Sequence, residues 1–222
     1  MTRICAVVFD AYGTLLDVHA AAGRHAPRLG ARAGAVSELW RARQLEYSWV
    51  LSLAGTYEDF WTLTGRALDH ALAAHGITDV ALRQDLLSAY RRLDAYQDAA
   101  PALKALREQG VATAILSNGE PGMLADAVEA AGLASLLDAV LSVHPLRRYK
   151  PAPAVYALVT ERFLCQPQEI AFVSSNAWDA FGAARFGFRV YWLNRSRHSV
   201  EYGLDGLATT LPDLAALPAC LA

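Results

Sequence analysis

Lysine is almost missing from this chain of 222 residues: of its 20 basic side chains only Lys104 and Lys150 are lysines, which leaves 18 arginines. A lysine retained in such a sequence raises the question of what a compact ammonium does there that a guanidinium fork would not. Cysteine is equally scarce. Cys5, Cys165 and Cys220 are odd in number and form no CxxC pair, so neither a disulfide framework nor a thiolate metal site is predicted, and free thiols in a reducing cytoplasm are expected. The six histidines show no metal-ligand spacing. Gly30 and Gly34 are not followed by the Lys-Ser or Lys-Thr of a phosphate loop. No apolar run approaches the roughly 20 residues of a membrane span. The run Ile4 to Phe9 stops at Asp10, too short for a secretory signal, so a soluble, untargeted chain is expected. Neither charge dominates: 20 basic against 22 acidic residues give a net of -2 and no overall pull toward nucleic acid or an anionic membrane.

What the chain has in quantity is apolar material, 54% hydrophobic against 19% charged, enough for a sizeable core and too much for disorder. Its length fits one large domain, or a core with an insert. The run ICAVVFD is apolar on both faces and predicts a buried parallel strand ending at Asp10, with a turn at Gly13. Strand and helix then alternate. DAAPALKALREQG predicts a helix, VATAILS a strand ending at Ser117-Asn118-Gly119, and PGMLADAVEAAG a second helix. A short strand follows around Ala139 to Val143, then helical PAVYALVTERF after Lys150-Pro151. EIAFVSS, a helix from Asn176 to about Phe186 stopped by Gly187, and a last strand RVYWLN complete the series.

Residues 18–96 break this alternation. Apolar positions recur at helical spacing through ELWRARQLEYSWVLSL, YEDFWTLTGRALDHALAAHG and VALRQDLLSAYRRLDAY. The prediction is an α/β fold, a Rossmann-like doubly wound parallel sheet formed by residues 1–17 and 97–222, with residues 18–96 inserted as an α-helical cap hinged near 15–20 and 94–99. Trp40, Trp49 and Trp61 fall in the insert beside Tyr47, Tyr57 and Phe60, and serve as cap core or a subunit contact.

Ligands of such sheets bind outside the C-terminal strand ends. Asp10, Ser117, Asn118, Lys150, Ser174, Asn176 and Asp179 all lie at or just past those ends and are expected to converge. A buried strand-end carboxylate needs a facing cation or N–H groups. The Ala11 to Thr14 turn offers N–H groups, and Lys150 is the convergent cation. Ser174 and Ser175 also suit ordinary strand-end caps, Trp178 suits packing, and His144 suits a structural role.

FDAYGTLLD, LSNG, the lysine before Pro151 and SSNAWD resemble the four signatures of the haloacid dehalogenase superfamily, over nearly the whole chain. WRARQLEYSWV, Tyr57-x-x-Phe60-Trp61, KPAPAVY and SSNAWDAFGA are similar, more narrowly, to the L-2-haloacid dehalogenases. Beyond Asn194-Arg195 only a loose likeness remains. In the superfamily's phosphatases a second Asp, two residues after the nucleophile, protonates the leaving alcohol and helps position Mg²⁺; here that position is Tyr12. A halide leaves without a proton, so the change suits a dehalogenase. SSNAWD also lacks the paired acidic start of a Mg²⁺ site, so no metal and no cofactor are expected.

The resemblance implies that Asp10 attacks C2 of a 2-haloalkanoate, expelling halide and forming an aspartyl ester with inversion, and that water then hydrolyses the ester. Asp179, Asn176, Ser174 and Thr14 would orient or activate the water, with Lys150 stabilising charge on Asp10 through both steps. Ser117 would hold the substrate carboxylate. Arg41 and Asn118 would receive the halide, Tyr156 would line the site, and Tyr12 and Phe60 would wall it. The partners implied are the haloalkanoate, the halide and a second copy in a homodimer. A Mg²⁺-dependent phosphatase, or a catalytically silent binding protein on the same fold, are the alternatives.

Overall fold

The computed structural model describes residues 3–221; the expected segment limits at 1 and 222 lie outside them. β1 (Ala6–Phe9) is fully buried, as a run with no polar alternation must be when both sheet faces are covered. After it come five helices, α1 (Ala20–Arg24), α2 (Ala26–Leu29), α3 (Ala33–Leu53), α4 (Phe60–Ala74) and α5 (Val80–Arg91). The alternating part follows: α6 (Ala99–Glu108), β2 (Ala112–Ser117), α7 (Pro121–Ala130), β3 (Ala139–Ser142), α8 (Pro153–Phe163), β4 (Ile170–Ser174), α9 (Ala177–Phe186) and β5 (Arg189–Leu193). β6 (Ala208–Leu211) and α10 (Leu217–Leu221) close the chain.

The six strands form one sheet in the order β3-β2-β1-β4-β5-β6, every neighbouring pair parallel. Phe9 lies beside both Ile115 and Val173 in the register. The residues after β1, β2 and β4 therefore emerge at one edge, where this α/β fold offers its binding crevice. Local sequence stops and starts the helices. Asp59 and Asp79 cap α4 and α5 through the N–H groups of Thr62 and Leu82, each at 2.9 Å. Gly187 ends α9 at a φ of 110°, in the region glycine enters without a Cβ clash.

The chain enters and leaves the α1–α5 segment side by side: Tyr96 N–H donates to Leu15 O and Asp17 N–H to Asp94 O, both at 2.9 Å. Within the segment α3 packs on α4, and Trp40 Nε1 donates to Thr64 O at 2.8 Å. The other insert tryptophans also pack: Trp49 meets Trp178 edge-on at 5.3 Å, and the Arg91 guanidinium covers Trp61 at 4.1 Å.

Two expectations change. RVYWLN is not the last strand, because ATTL of β6 adds a partly exposed edge beyond it. Four residues with two exposed threonines carry too little apolar pattern to announce a strand. Second, Cys5 and Cys165 are joined by a disulfide, against the expectation of free thiols, with Cα atoms 6.7 Å apart. Parallel pairing is the cause. Cys5 N–H donates to Glu169 O at 2.8 Å, so the residue leading into β1 lies beside the approach to β4 despite a sequence separation of 160. Cys220 remains a free, exposed thiol.

Candidate active site

Asp10 follows β1 directly, and its N–H still donates to Val173 O at 2.9 Å, so the sheet fixes its backbone. In the turn beyond it Gly13 N–H donates to Leu16 O and Thr14 N–H to Ala11 O. Gly13 has a φ of 94°, and a Cβ there would lie 3.2 Å from Ser175 Oγ, so the turn requires glycine. Three side chains reach the carboxylate. Lys150 Nζ donates to Asp10 Oδ1 at 3.0 Å, Asn176 Nδ2 to Oδ2 at 2.8 Å and Thr14 Oγ1 to Oδ2 at 3.3 Å. Asn176 occupies the N-cap of α9 without capping it. Its amide, free of the usual N-cap duty, serves Asp10.

Lys150 also donates to Asp179 Oδ2 at 2.8 Å, so one ammonium bridges two carboxylates that are almost wholly out of solvent. Burial opposes its charge, but Asp10 and Asp179 outweigh that penalty and hold the ammonium above the ordinary lysine range. Asp179 moves the other way. Burial first, then repulsion from Asp10, push its carboxyl up to about 6, against the Lys150 contact and a 2.8 Å hydrogen bond from Tyr156. Lys150 is held in turn by its backbone: its N–H donates to Asn118 Oδ1 at 2.9 Å, and its Nζ lies 5.1 Å over the Phe172 ring.

The structure brings most of the expected residues together. Asn118 is buried with its amide oxygen on Lys150. Ser117, also buried, accepts from Gly119 N–H at 3.0 Å and so shapes the turn after β2. Arg41 reaches down from α3, its Nη2 donating to Tyr12 O at 3.2 Å, the same oxygen that takes a second bond from Asn176 Nδ2 at 3.3 Å. Tyr12 stacks on Tyr90 at 5.7 Å and faces Phe60 at 6.4 Å, a buried aromatic wall whose Tyr12 hydroxyl has no hydrogen-bond partner. Burial, with Tyr90 adding to it, keeps that phenol well above its ordinary pKa and therefore neutral.

Two residues are directed elsewhere than expected. Ser174 Oγ accepts from Asn176 N–H at 3.1 Å, an ordinary strand-end turn, and it is Ser175 that meets Thr14, Oγ to Oγ1 at 3.2 Å. Tyr156 points at Asp179, donating to its Oδ1 and, at 3.2 Å, to its backbone carbonyl, instead of lining an open site. Sequence reasoning passed over Gln44, Tyr90, Tyr149 and Arg195. Tyr149 clamps the segment before Lys150 onto α3 and the α3–α4 connection, through Ser52 Oγ at 3.1 Å and Glu58 O. Arg195 ties Thr14 O to Asp98. Gln44 carried a legible signal: a polar residue three positions after Arg41 on a helix face that also buries Trp40.

A cavity of about 240 Å³ opens beside the cluster, lined by Tyr12, Gly13, Arg41, Ser175, Asn176 and Arg195 among others. Larger depressions, near 740 and 600 Å³, lie on α5–α7 and α7–β3 and contain none of the predicted site residues. The donor set does not fit a divalent cation. The Lys150 ammonium lies between Asp10 and Asp179, and among the described residues no group of three or more His, Cys, Asp or Glu side chains is placed to hold a metal ion. What the arrangement can do is present a desolvated carboxylate, held by three donors, to an electrophile at the mouth of the sheet, with a second carboxylate near enough to take a proton.

The model of the haloacid dehalogenase-like hydrolase family matches residues 4–187. The chain is 47% identical to (S)-2-haloacid dehalogenase 1 of Pseudomonas sp. (strain CBS-3), over 100% of this chain and 98% of that one. It superposes with a TM-score of 0.97 on a dehalogenase crystal structure with an intermediate complex, 46% identical, covering 100% and 99% of the two chains. A solved L-2-haloacid dehalogenase from Xanthobacter autotrophicus with chloropropionic acid covalently bound is 38% identical, covers 98% of each chain and gives a TM-score of 0.91.

Proposed function

The chain belongs to the haloacid dehalogenase-like hydrolases, and from that premise we propose that it hydrolyses (S)-2-haloacids to (R)-2-hydroxyacids and halide. The observation that carries this reading is the Asp10 carboxylate, nearly dry yet held by Lys150, Asn176 and Thr14. Shedding water makes a carboxylate a better nucleophile, and the three donors fix its direction. An Asp10 oxygen bonds to C2 of the substrate as the carbon–halogen bond breaks; the halide leaves with the bonding pair and the carbon inverts. Arg41 and Asn118 receive the halide, and Ser117 holds the substrate carboxylate.

Water then adds to the ester carbonyl of Asp10. Asp179 accepts a proton from it, the acyl–oxygen bond breaks, and the product alkoxide takes that proton from Asp179, with the second proton of the water released to solvent and both carboxylates restored. Lys150 stays between the two carboxylates and offsets the charge that moves from one to the other. Tyr156 keeps Asp179 turned toward Lys150. Residues 18–96 act as a cap that carries Arg41 and Phe60 onto the core of 1–17 and 97–222.

The reading extends to a homodimer that meets its substrate as a free small molecule, with neither nucleic acid nor membrane. Val50 and Leu53, exposed on α3 at 56% and 89%, support a second copy as partner, and sedimentation tests it. The Cys5–Cys165 disulfide argues against a reducing compartment, so cell fractionation decides the location. Halide release from L-2-chloropropionate in EDTA tests the chemistry. In a single turnover in isotope-labelled water, the label enters Asp10; phosphate release from a phosphoester that EDTA abolishes, with no halide release, overturns the reading.

A further inference from the structure

α3 holds two arginine contacts of identical spacing and opposite character. Arg43 forms an ion pair with Glu46, three residues on, at 2.5 Å on the solvent side. Arg41 meets Gln44, also three residues on, through Nη1 and Oε1 at 2.7 Å on the buried side. Gln44 is 1% exposed, and each end of its amide is used. Oε1 also accepts from the Tyr90 hydroxyl at 3.1 Å, and Nε2 donates to Thr64 Oγ1 at 2.6 Å.

The direction of that amide is fixed by its neighbours. The Thr64 hydroxyl gives its hydrogen to Phe60 O at 2.7 Å, so its oxygen must accept from Gln44, and the Gln44 oxygen must face Arg41. Arg41 also donates to the Tyr12 carbonyl at 3.2 Å and meets the Tyr90 hydroxyl, and no carboxylate forms an ion pair with it among the described residues. Tyr90 is neutral as well, its phenol raised above the ordinary range by burial in spite of the guanidinium. Every group that holds Arg41 is therefore uncharged.

We infer that Gln44 is a positioning residue for the halide-leaving step, orienting Arg41 toward the departing anion without neutralising it. A carboxylate at the same place would hold the guanidinium equally well. It would also cancel the field that a leaving halide needs, and repel both halide and substrate carboxylate. A neutral amide does the holding alone, and Thr64 and Tyr90 lock it so that it cannot turn its NH₂ onto Arg41. The inference rests on the reading that Arg41 receives the halide.

The test compares wild type, Gln44→Glu and Gln44→Met for kcat, KM and bromide product inhibition during turnover of L-2-bromopropionate, with thermal unfolding as the check on folding. Gln44→Glu keeps both acceptor contacts and loses only the donation to Thr64, whereas Gln44→Met loses all three, so a purely structural role ranks it above Gln44→Met. The charge argument ranks it below, with bromide affinity and kcat each reduced by about tenfold or more and KM changed by less than about threefold. If Gln44→Glu does not fold, Gln44→Met still loses several-fold in bromide affinity against the same control. Gln44→Glu equal to or better than Gln44→Met, or bromide affinity unchanged in whichever variant folds, overturns the inference and leaves the dehalogenase reading standing. A wild type that releases no halide overturns that reading, and this inference with it.

Discussion

Replacing Lys150 separates charge from shape at the centre of the cluster. Its Nζ lies 3.0 Å from Asp10 and 2.8 Å from Asp179, and at an effective dielectric of about 20 each contact is worth roughly 5–6 kcal/mol before desolvation is subtracted. Lys150→Met removes both attractions and leaves two carboxylates facing each other out of water. The fold should lose about 3–5 kcal/mol, the usual cost of stranding one side of a buried pair, unless a proton is bound in compensation. That proton would sit on Asp10 or Asp179 and silence it, so halide release should vanish even where the variant folds. Lys150→Arg keeps the charge but brings a planar fork into a site where the native side chain is 1% exposed. Overpacking should cost about 1–3 kcal/mol of stability, while misplacing the cation should lower kcat by about 100-fold or more. Chemical denaturation measures the first effect, and halide release in single-turnover and steady-state modes measures the second. A Lys150→Arg enzyme with kcat within about threefold of wild type would refute the role given to the ammonium, since a bulkier cation would then serve as well.

The acid limb of kcat should fall at a pKa of about 6, because Asp179 must be ionised to take a proton from water and burial raises it to that value. For the same group, the unfolded chain loses its proton near 3.8 and the fold keeps it to about 6, so its contribution to stability falls by about 3 kcal/mol as pH rises through that window; a pH series of denaturation midpoints shows the slope. Asp179→Asn should release one equivalent of halide per subunit and then stall, with the ester visible by mass spectrometry; sustained turnover would remove Asp179 from the water step. Gly182→Ala should weaken both fold and ester hydrolysis, since a Cβ there collides with the Tyr156 hydroxyl and falls 2.7 Å from Pro151 Cβ. Equal kcat in the alanine variant would show that Tyr156 does not govern Asp179. Reductant should lower the thermal midpoint, because the Cys5–Cys165 bond closes a loop of 160 residues worth up to about 5 kcal/mol of chain entropy. Below the unfolding range kcat should be unaltered, since Cys5 and Cys165 lie ahead of β1 and β4 while Asp10 follows the opposite, C-terminal end of β1.

The central strands were legible because a parallel sheet covered on both faces needs unbroken apolar runs, and AVVF, ATAILS and IAFVS supply them. The convergence of Asp10, Asn118, Lys150, Asn176 and Asp179 was legible for the same reason: parallel register sends every strand's C-terminal residue to one edge. Direction was not legible. Nothing in VSSN says that Ser174 turns back onto the Asn176 N–H while Ser175 meets Thr14, or that Tyr156 faces Asp179. These are choices among rotamers that only the packed neighbours make. The disulfide was hidden by sequence distance, and β6 by its exposed threonines.

The scarcity of lysine acquires a physical meaning from this geometry. Arg24, Arg28, Arg66 and Arg83 sit in exposed ion pairs and could be exchanged for lysine with little consequence, since such pairs are worth about 0–1 kcal/mol. Between Asp10 and Asp179 the requirement differs. The two acceptors are met by one atom, Nζ, approached from the side on which Asn118 fixes the backbone and Phe172 closes the floor. A guanidinium spreads its charge over a plane and answers two oxygens of one carboxylate more naturally than one oxygen from each of two. A point donor with three rotatable hydrogens can divide itself between both carboxylates, and can shift weight from one to the other as charge moves from nucleophile to base. The same reasoning explains why Arg41 is not a lysine. Its fork reaches Gln44 and the Tyr12 carbonyl with separate nitrogens, and still presents an unneutralised cation beside the cavity.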